Sequence, residues 1–237
     1  QGLIQGTPFV GAFWGLLALY IAAMVVLTLV KFPPETRHAP DVVTRPVLEI
    51  ISQPIFLVSV VAAMVSYVVM NLLMTATPLA MHNHGYHFDQ SAFVIELHVL
   101  GMFLPGFFTG DLIRRFGTIR ILNTGALIML LCIGINLTGQ SELHFSVSLF
   151  FLGLGWNFMF VGATHLVTGA YSEAEKPKAQ AANEFLIFSM VTVSALASGW
   201  LEATLGWHVM NLICIPLVLF AMAVVLHFHK KQAFSFV

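Results

Sequence analysis

Charge is what this 237-residue chain has least of: Lys, Arg, Asp and Glu make up 9% of it, against roughly 25% in an ordinary soluble domain. A net charge of -1 leaves no basic footprint for nucleic acid and no acidic tail. Cysteine is nearly as scarce. Cys132 and Cys214 sit apart inside apolar runs, which excludes a disulfide framework or a Cys-x-x-Cys metal site by spacing and leaves two buried thiols. The chain also lacks a Gly-rich phosphate loop, a zinc motif and any nucleophile–base spacing, so it does not read as an enzyme. The opening residues carry neither a basic n-region nor a cleavage site, which excludes a signal peptide. Beginning at Gln1 in apolar sequence, the chain reads as a piece of a longer one.

Apolar residues are what it has instead, at 58% with a mean hydropathy of +0.89. That composition is an integral membrane protein. A spanning helix needs about 20 mostly apolar residues, and seven stretches qualify: 8–30, 54–80, 91–112, 119–138, 145–170, 180–202 and 207–228. Gly and Pro inside them are tolerated in membrane helices. The longest polar connection, 31–53, holds Pro33, Pro34, Pro40 and Pro46 and is the one expected domain boundary. The division is 1–31 for a first helix, 32–53 for a central loop, 54–230 for a six-helix bundle and 231–237 for a tail.

All ten basic residues fall in alternate connections: Lys31, Arg37 and Arg45; Arg114, Arg115 and Arg120; Lys176 and Lys178; Lys230 and Lys231. The loops at 81–90, 139–144 and 203–206 have none. Excess Lys and Arg mark the cytoplasmic side, so the C-terminus is expected in the cytoplasm of a cell whose plasma (inner) membrane holds the chain.

Two short patterns carry candidate chemistry. Met70 and Met74 lie four residues apart, as do His98 and Met102, so each pair shares a helix face. Counted from the span ends, Met70 and Met102 are each about 15 Å deep and Met74 and His98 about 10 Å, in a hydrocarbon core of ~30 Å. If the two helices face each other, Met74 and His98 form an outer rung and Met70 and Met102 a deeper one. Thioether and imidazole are neutral, soft donors that suit Cu(I) and avoid burying carboxylates. The plainer reading of the methionines is core packing, since Met fills irregular gaps.

Gly110-Asp-Leu-Ile-Arg-Arg115-Phe-Gly117-Thr-Ile-Arg120 resembles the cytoplasmic loop signature of the major facilitator superfamily. Gly110, Arg115, Gly117 and the further basic Arg120 match; the family's acidic position is Arg114 here, with the acid displaced to Asp111. The resemblance implies an all-α polytopic membrane fold: the C-terminal six-helix half of a twelve-helix transporter plus one preceding helix, the N-terminal half being the missing partner. More narrowly, Met70, Met74, His98 and Met102, with the 79–85 and 155–158 runs, resemble the CcoA-like copper importers of that superfamily. This implies copper as transported substrate, no prosthetic group, import by alternating access and supply of copper to cbb3-type oxidase assembly. Riboflavin importers share the branch, so a small aromatic solute is the alternative, with Tyr67, Trp156 and phenylalanines as a stacking cavity. A non-transporting metal sensor or assembly factor is the alternative from another class.

Secondary candidates surround these. Met81, His82, His84 and His87 form an extracytoplasmic turn that could capture metal or simply be solvated, with Gly85 supplying the bend. Asn71, Glu96, Trp156 and Asn157 are candidate cavity lining; an intramembrane Asn must find a partner, so interhelical packing competes for Asn157. His165 lies nearer the cytoplasmic end, and Gly106 and Gly110 are expected at close helix contacts. The partners are the lipid bilayer and a small solute or metal ion.

Overall fold

The computed structural model describes residues 10–31 and 44–234, with side chains through 231. Pro33, Pro34, Arg37 and Pro40 of the polar connection, and 235–237 of the tail, lie outside the described residues. Helix accounts for almost all of the described chain, and strands are absent from it. The chain divides into two units, Gln1–Val42 and Val43–Val237.

The first unit holds α1, Val10–Leu29, an apolar helix with no buried residue. The second begins earlier than the expected boundary at residue 54. A short α2, Val47–Ile51, inserts the fully buried Ile50 among Phe56, Val60, Val167 and Ala170. That apolar anchor makes residues 47–51 part of the bundle rather than loop.

Helix α3, Pro54–Asn83, starts with Pro in its first turn, where the missing N–H costs nothing. It continues past the expected end at residue 80, and Gly85, at φ +83°, turns the chain. The span expected at 91–112 is two helices, α4 (Phe88–Phe103) and α5 (Gly106–Phe116), bent by 40°. Pro105 causes the break: it has no N–H for the carbonyl of Gly101, and its ring crowds that carbonyl. α6 (Thr118–Thr138) follows Gly117, whose φ of +88° ends α5 and redirects the chain. α7 (Glu142–Val167) is capped by Ser141 Oγ, which accepts from the His144 N–H at 3.4 Å, and runs into a 3-10 turn at Thr168–Ala170.

The last helical element, α8, spans Lys176–Phe234. Unbroken, its 59 residues would reach nearly 90 Å, about three hydrocarbon cores. Gly206, at φ +77°, breaks it into 176–205 and 207–234. The expected loop at 203–206 is thus a single glycine, the residue that adopts that φ without penalty. Among the described residues five helices are long and apolar enough to cross a bilayer, and α4 with α5 supplies a sixth, bent span. With the break at Gly206 these make the seven expected stretches.

Helix α7 is the central element, packed against α3, α4 and α6, while α3 packs chiefly against α8. Glycines let α7 approach its neighbours backbone to backbone. A Cβ on Gly101 would lie 2.4 Å from the Phe150 carbonyl, and one on Gly153 2.4 Å from the carbonyl of His98. Gly125 and Gly155 do the same between α6 and α7. The expectation for Gly106 and Gly110 is corrected here: a Cβ on Gly106 meets only the Asn157 amide at 3.7 Å, and one on Gly110 meets nothing.

Polar contacts group the connections into two ends. At one, Arg45 forms a bidentate pair with Glu175 (2.9 and 2.8 Å), and Lys178 Nζ donates to the Arg45 carbonyl. The Arg45 guanidinium holds the Glu175 carboxyl well below the usual carboxylate range, aided by the Ser172 N–H. At the other end, Tyr86 Oη donates to the Gln140 carbonyl (3.1 Å) and Gln90 Nε2 to Glu142 Oε2 (2.6 Å).

Candidate functional site

His98 is the most constrained of the expected site residues. Its ring is fully buried, and Nδ1 lies 2.9 Å from the Leu149 carbonyl of α7. A carbonyl only accepts, so the ring proton is on Nδ1 and Nε2 carries the lone pair. That Nε2 has no partner among the described residues. The glycine contact between α4 and α7 fixes this geometry, because Gly153 seats directly under the backbone of His98 and Met102.

The expected facing of α3 and α4 is not what forms. Those helices touch sparingly, and α7 packs on both; His98 turns to α7. Met70 is buried within the principal core cluster around Leu73, Met129, Leu152 and Met159, and the half-buried Met74 and Met102 pack against that cluster. Among the described residues no three His, Cys, Asp or Glu side chains gather as a metal-binding group.

The outer turn is also rearranged. Met81 is fully buried in that same core cluster, which corrects its assignment to an exposed capture turn: α3 continues through it and turns its side chain inward. His82 is exposed; His84 Nδ1 bonds the Ala80 carbonyl at 2.7 Å; His87 donates its backbone N–H to Gln90 Oε1 at 2.9 Å as α4 begins. Glu96 is exposed and lines, with His82, Tyr86 and Ser91, a cavity of about 490 Å³ between α3 and α4.

Asn71 ties α3 to the first half of α8, donating to Ser194 Oγ at 2.9 Å and the Val191 carbonyl at 3.4 Å. Asn157 is a splint across the Pro105 break, not cavity lining. Its Nδ2 donates to the Met102 carbonyl at 2.8 Å, and its Oδ1 accepts from Thr109 Oγ1 at 2.6 Å. The broken ladder leaves the Met102 carbonyl without its helical partner, and Asn157 supplies one. His165 Nδ1 pairs with Thr118 Oγ1 at 3.0 Å. In the loop signature, Arg114 pairs with Asp111, Arg115 lies 5.2 Å over the Phe116 ring, and Arg120 is exposed.

Trp156 belongs to an aromatic cluster. It stacks on Phe160 at 5.1 Å and 13°, while Tyr67 stands edge-on to both at 5.0 and 4.9 Å. Phe188 of α8 is 5.8 Å from Tyr67 and 48% exposed. The indole Nε1 of Trp156 is buried without a partner among the described residues. Trp156 is 14 residues into α7 and Tyr67 13 into α3, or about 20 Å along each helix, so the cluster sits near mid-membrane. Phe160 and Phe188 were not singled out by sequence. The i,i+4 spacing of Trp156 and Phe160 was visible; Phe188 lies on another helix and left no local signal.

A bundle of helices long and apolar enough to cross a bilayer, joined by short turns, defines the chain as an integral membrane protein. Residues 59–233 match the Major Facilitator Superfamily, and the chain belongs to that family. It is 40% identical over 218 residues to the riboflavin transporter RfnT of Brucella anthropi, covering 91% of this chain and 54% of that protein. Two uncharacterized transporters of the same superfamily type from Bacillus subtilis, YdeG and YddS, are 30% and 27% identical over 174 and 172 residues. Those matches cover 70% and 69% of this chain, and 40% and 39% of theirs. The chain therefore spans about half the length, or less, of the curated relatives it matches.

Proposed function

We propose that the intact protein is a secondary transporter that imports riboflavin or a closely similar planar aromatic solute. The observation that carries the reading is the mid-membrane cluster of Tyr67, Trp156, Phe160 and Phe188, whose open edge is Phe188. Aromatic faces stack on a flat heterocycle at about 0.5–1.5 kcal/mol per pair beyond area burial. The unpartnered Trp156 Nε1–H and the Asn71 amide beside Ser194 offer the few polar groups such a site needs for orientation. Likeness to a riboflavin transporter over 91% of the chain supports the same assignment. The end bearing the basic residues is the cytoplasmic one, in a bacterial inner membrane. Uptake of labelled riboflavin by cells producing the intact protein tests the proposal; uptake at the level of cells lacking it would refute it.

Copper import is the second reading, favoured by one observation. His98 presents a buried Nε2 lone pair without a partner among the described residues, and Met70 with Met74 and Met102 packs in or against one core cluster, a donor set suited to Cu(I). Copper accumulation that is lost in His98→Ala and Met102→Ala, with riboflavin uptake absent in the wild type, would reverse the order.

A further inference from the structure

Phe188, the open edge of the aromatic cluster, has a carboxylate one helical turn before it. Glu184 and Phe188 are four residues apart on the unbroken 176–205 part of α8, so they share a face. Tyr67 is in reach of both. Its ring is 5.8 Å from that of Phe188, and its phenol lies within electrostatic range of the Glu184 carboxylate. Glu184 is half-buried and about 12 Å along α8 from Lys176. A carboxylate at that depth faces the bundle interior or a water-filled cavity, not lipid. Its Oε1 accepts from the adjacent Asn183 Nδ2 at 3.2 Å, and among the described residues no Lys, Arg or His pairs with it. The basic groups of that end are committed elsewhere: Arg45 to Glu175, Lys176 to Glu173, and Lys178 to the Arg45 carbonyl.

An uncompensated acceptor thus lies on one side of a stacking surface, and donors lie on the other. Asn71 and Ser194, hydrogen-bonded at 2.9 Å, are beyond Tyr67 and Phe188 in the outward direction. A planar solute with ring carbonyls and a hydroxylated side chain fits that order. Its ring stacks on Phe188 and Tyr67, its carbonyls turn to the Asn71 amide or the Trp156 N–H, and its hydroxyls donate to Glu184. A five-carbon side chain bridges one helical turn, about 5.4 Å. A phosphate ester at the end of that chain carries a charge of about −1.5 to −2. It would meet the Glu184 carboxylate with no free basic side chain beside it, and juxtaposed like charges reject such a partner.

Building on the riboflavin reading above, we propose that Glu184 sets the charge selectivity of the solute site, accepting the hydroxyl chain of an uncharged flavin and rejecting its phosphate ester. Uptake of labelled riboflavin by proteoliposomes of the intact transporter tests this, with unlabelled riboflavin, riboflavin 5′-phosphate and an uncharged 5′-acetyl ester as competitors. In the wild type the phosphate should need about tenfold more than riboflavin for half-inhibition, and the acetyl ester should compete nearly as well as riboflavin. Glu184→Gln should move the two ligands in opposite directions. The riboflavin KM should rise about threefold as the charge-assisted acceptor is lost, while the phosphate becomes a better inhibitor. A loss of structure alone would weaken both. Equal inhibition of the wild type by riboflavin and its phosphate, or a phosphate penalty that survives Glu184→Gln, would overturn the proposal and leave riboflavin transport standing. Absence of riboflavin uptake by the wild type would overturn the transport reading and this proposal with it. Should Glu184→Gln fail to fold, the acetyl ester decides the matter, because inhibition as weak as the phosphate's would show exclusion by size and overturn the proposal.

Discussion

At the scale of the residue, Trp156 Nε1 and His98 Nε2 are two of the six buried side-chain atoms without a hydrogen-bond partner among the described residues. Trp156→Ala removes both the stack and the N–H donor. Its riboflavin KM should rise by about tenfold, the equivalent of ~1.4 kcal/mol. Trp156→Phe keeps the stacking face on Phe160 and should lose less, a difference that KM values for the two variants resolve. His98 is a different case, because its Nδ1–H already serves the Leu149 carbonyl. His98→Ala leaves that carbonyl without its side-chain donor and opens a cavity. The variant should lose about 1–3 kcal/mol of stability, seen as a lower thermal midpoint in detergent. Its riboflavin KM should be unchanged in the folded fraction. A change in KM without a change in midpoint would place His98 in the solute path instead.

At the scale of the element, the organisation depends on how closely α7 can approach α4 and α6. Gly153→Ala puts a Cβ within 2.4 Å of the His98 carbonyl, and overpacking of that kind typically costs about 1–3 kcal/mol. Gly110→Ala meets open space and should leave the thermal midpoint unchanged. The Arg45–Glu175 pair ties the start of the bundle to the turn before α8. Its sign follows from the lowered Glu175 pKa. The contribution is full above the ordinary carboxylate pKa of about 4 and is lost as pH falls through the lower folded value. Wild type and Glu175→Gln should therefore differ in thermal midpoint at neutral pH and converge in strong acid.

These elements also show what could be read without a structure. Span positions were legible because run length against bilayer thickness is a local property. Pro105 was present in plain sight, but whether a membrane proline kinks a helix or breaks it depends on what takes up the freed carbonyl. Here that is Asn157, 52 residues further along the chain. The centrality of α7 was not legible, since Gly153 and Gly155 acquire meaning only opposite Gly101 and Gly125. The same limit made Met70, Met74, His98 and Met102 look like two facing rungs: each pair shares a helix face, but which helix that face meets is a long-range fact. Trp156 was visible; the aromatic company it keeps on α3 and α8 was not.

At the scale of the whole molecule, the alternation of connections with and without Lys and Arg agrees with the two ends that the polar contacts define. Arg45, Glu175 and Lys178 meet at one end, and Tyr86, Gln90, Gln140 and Glu142 at the other. A thiol probe introduced at Glu173 should be labelled only from the cytoplasmic side, and one at Asp89 only from outside. The most direct measurement is uptake of radiolabelled riboflavin into proteoliposomes containing the intact transporter, wild type beside Trp156→Ala, with copper uptake followed in the same vesicles. Saturable riboflavin uptake that Trp156→Ala impairs, with no copper entry, is the predicted result. Copper entry without riboflavin uptake would contradict it.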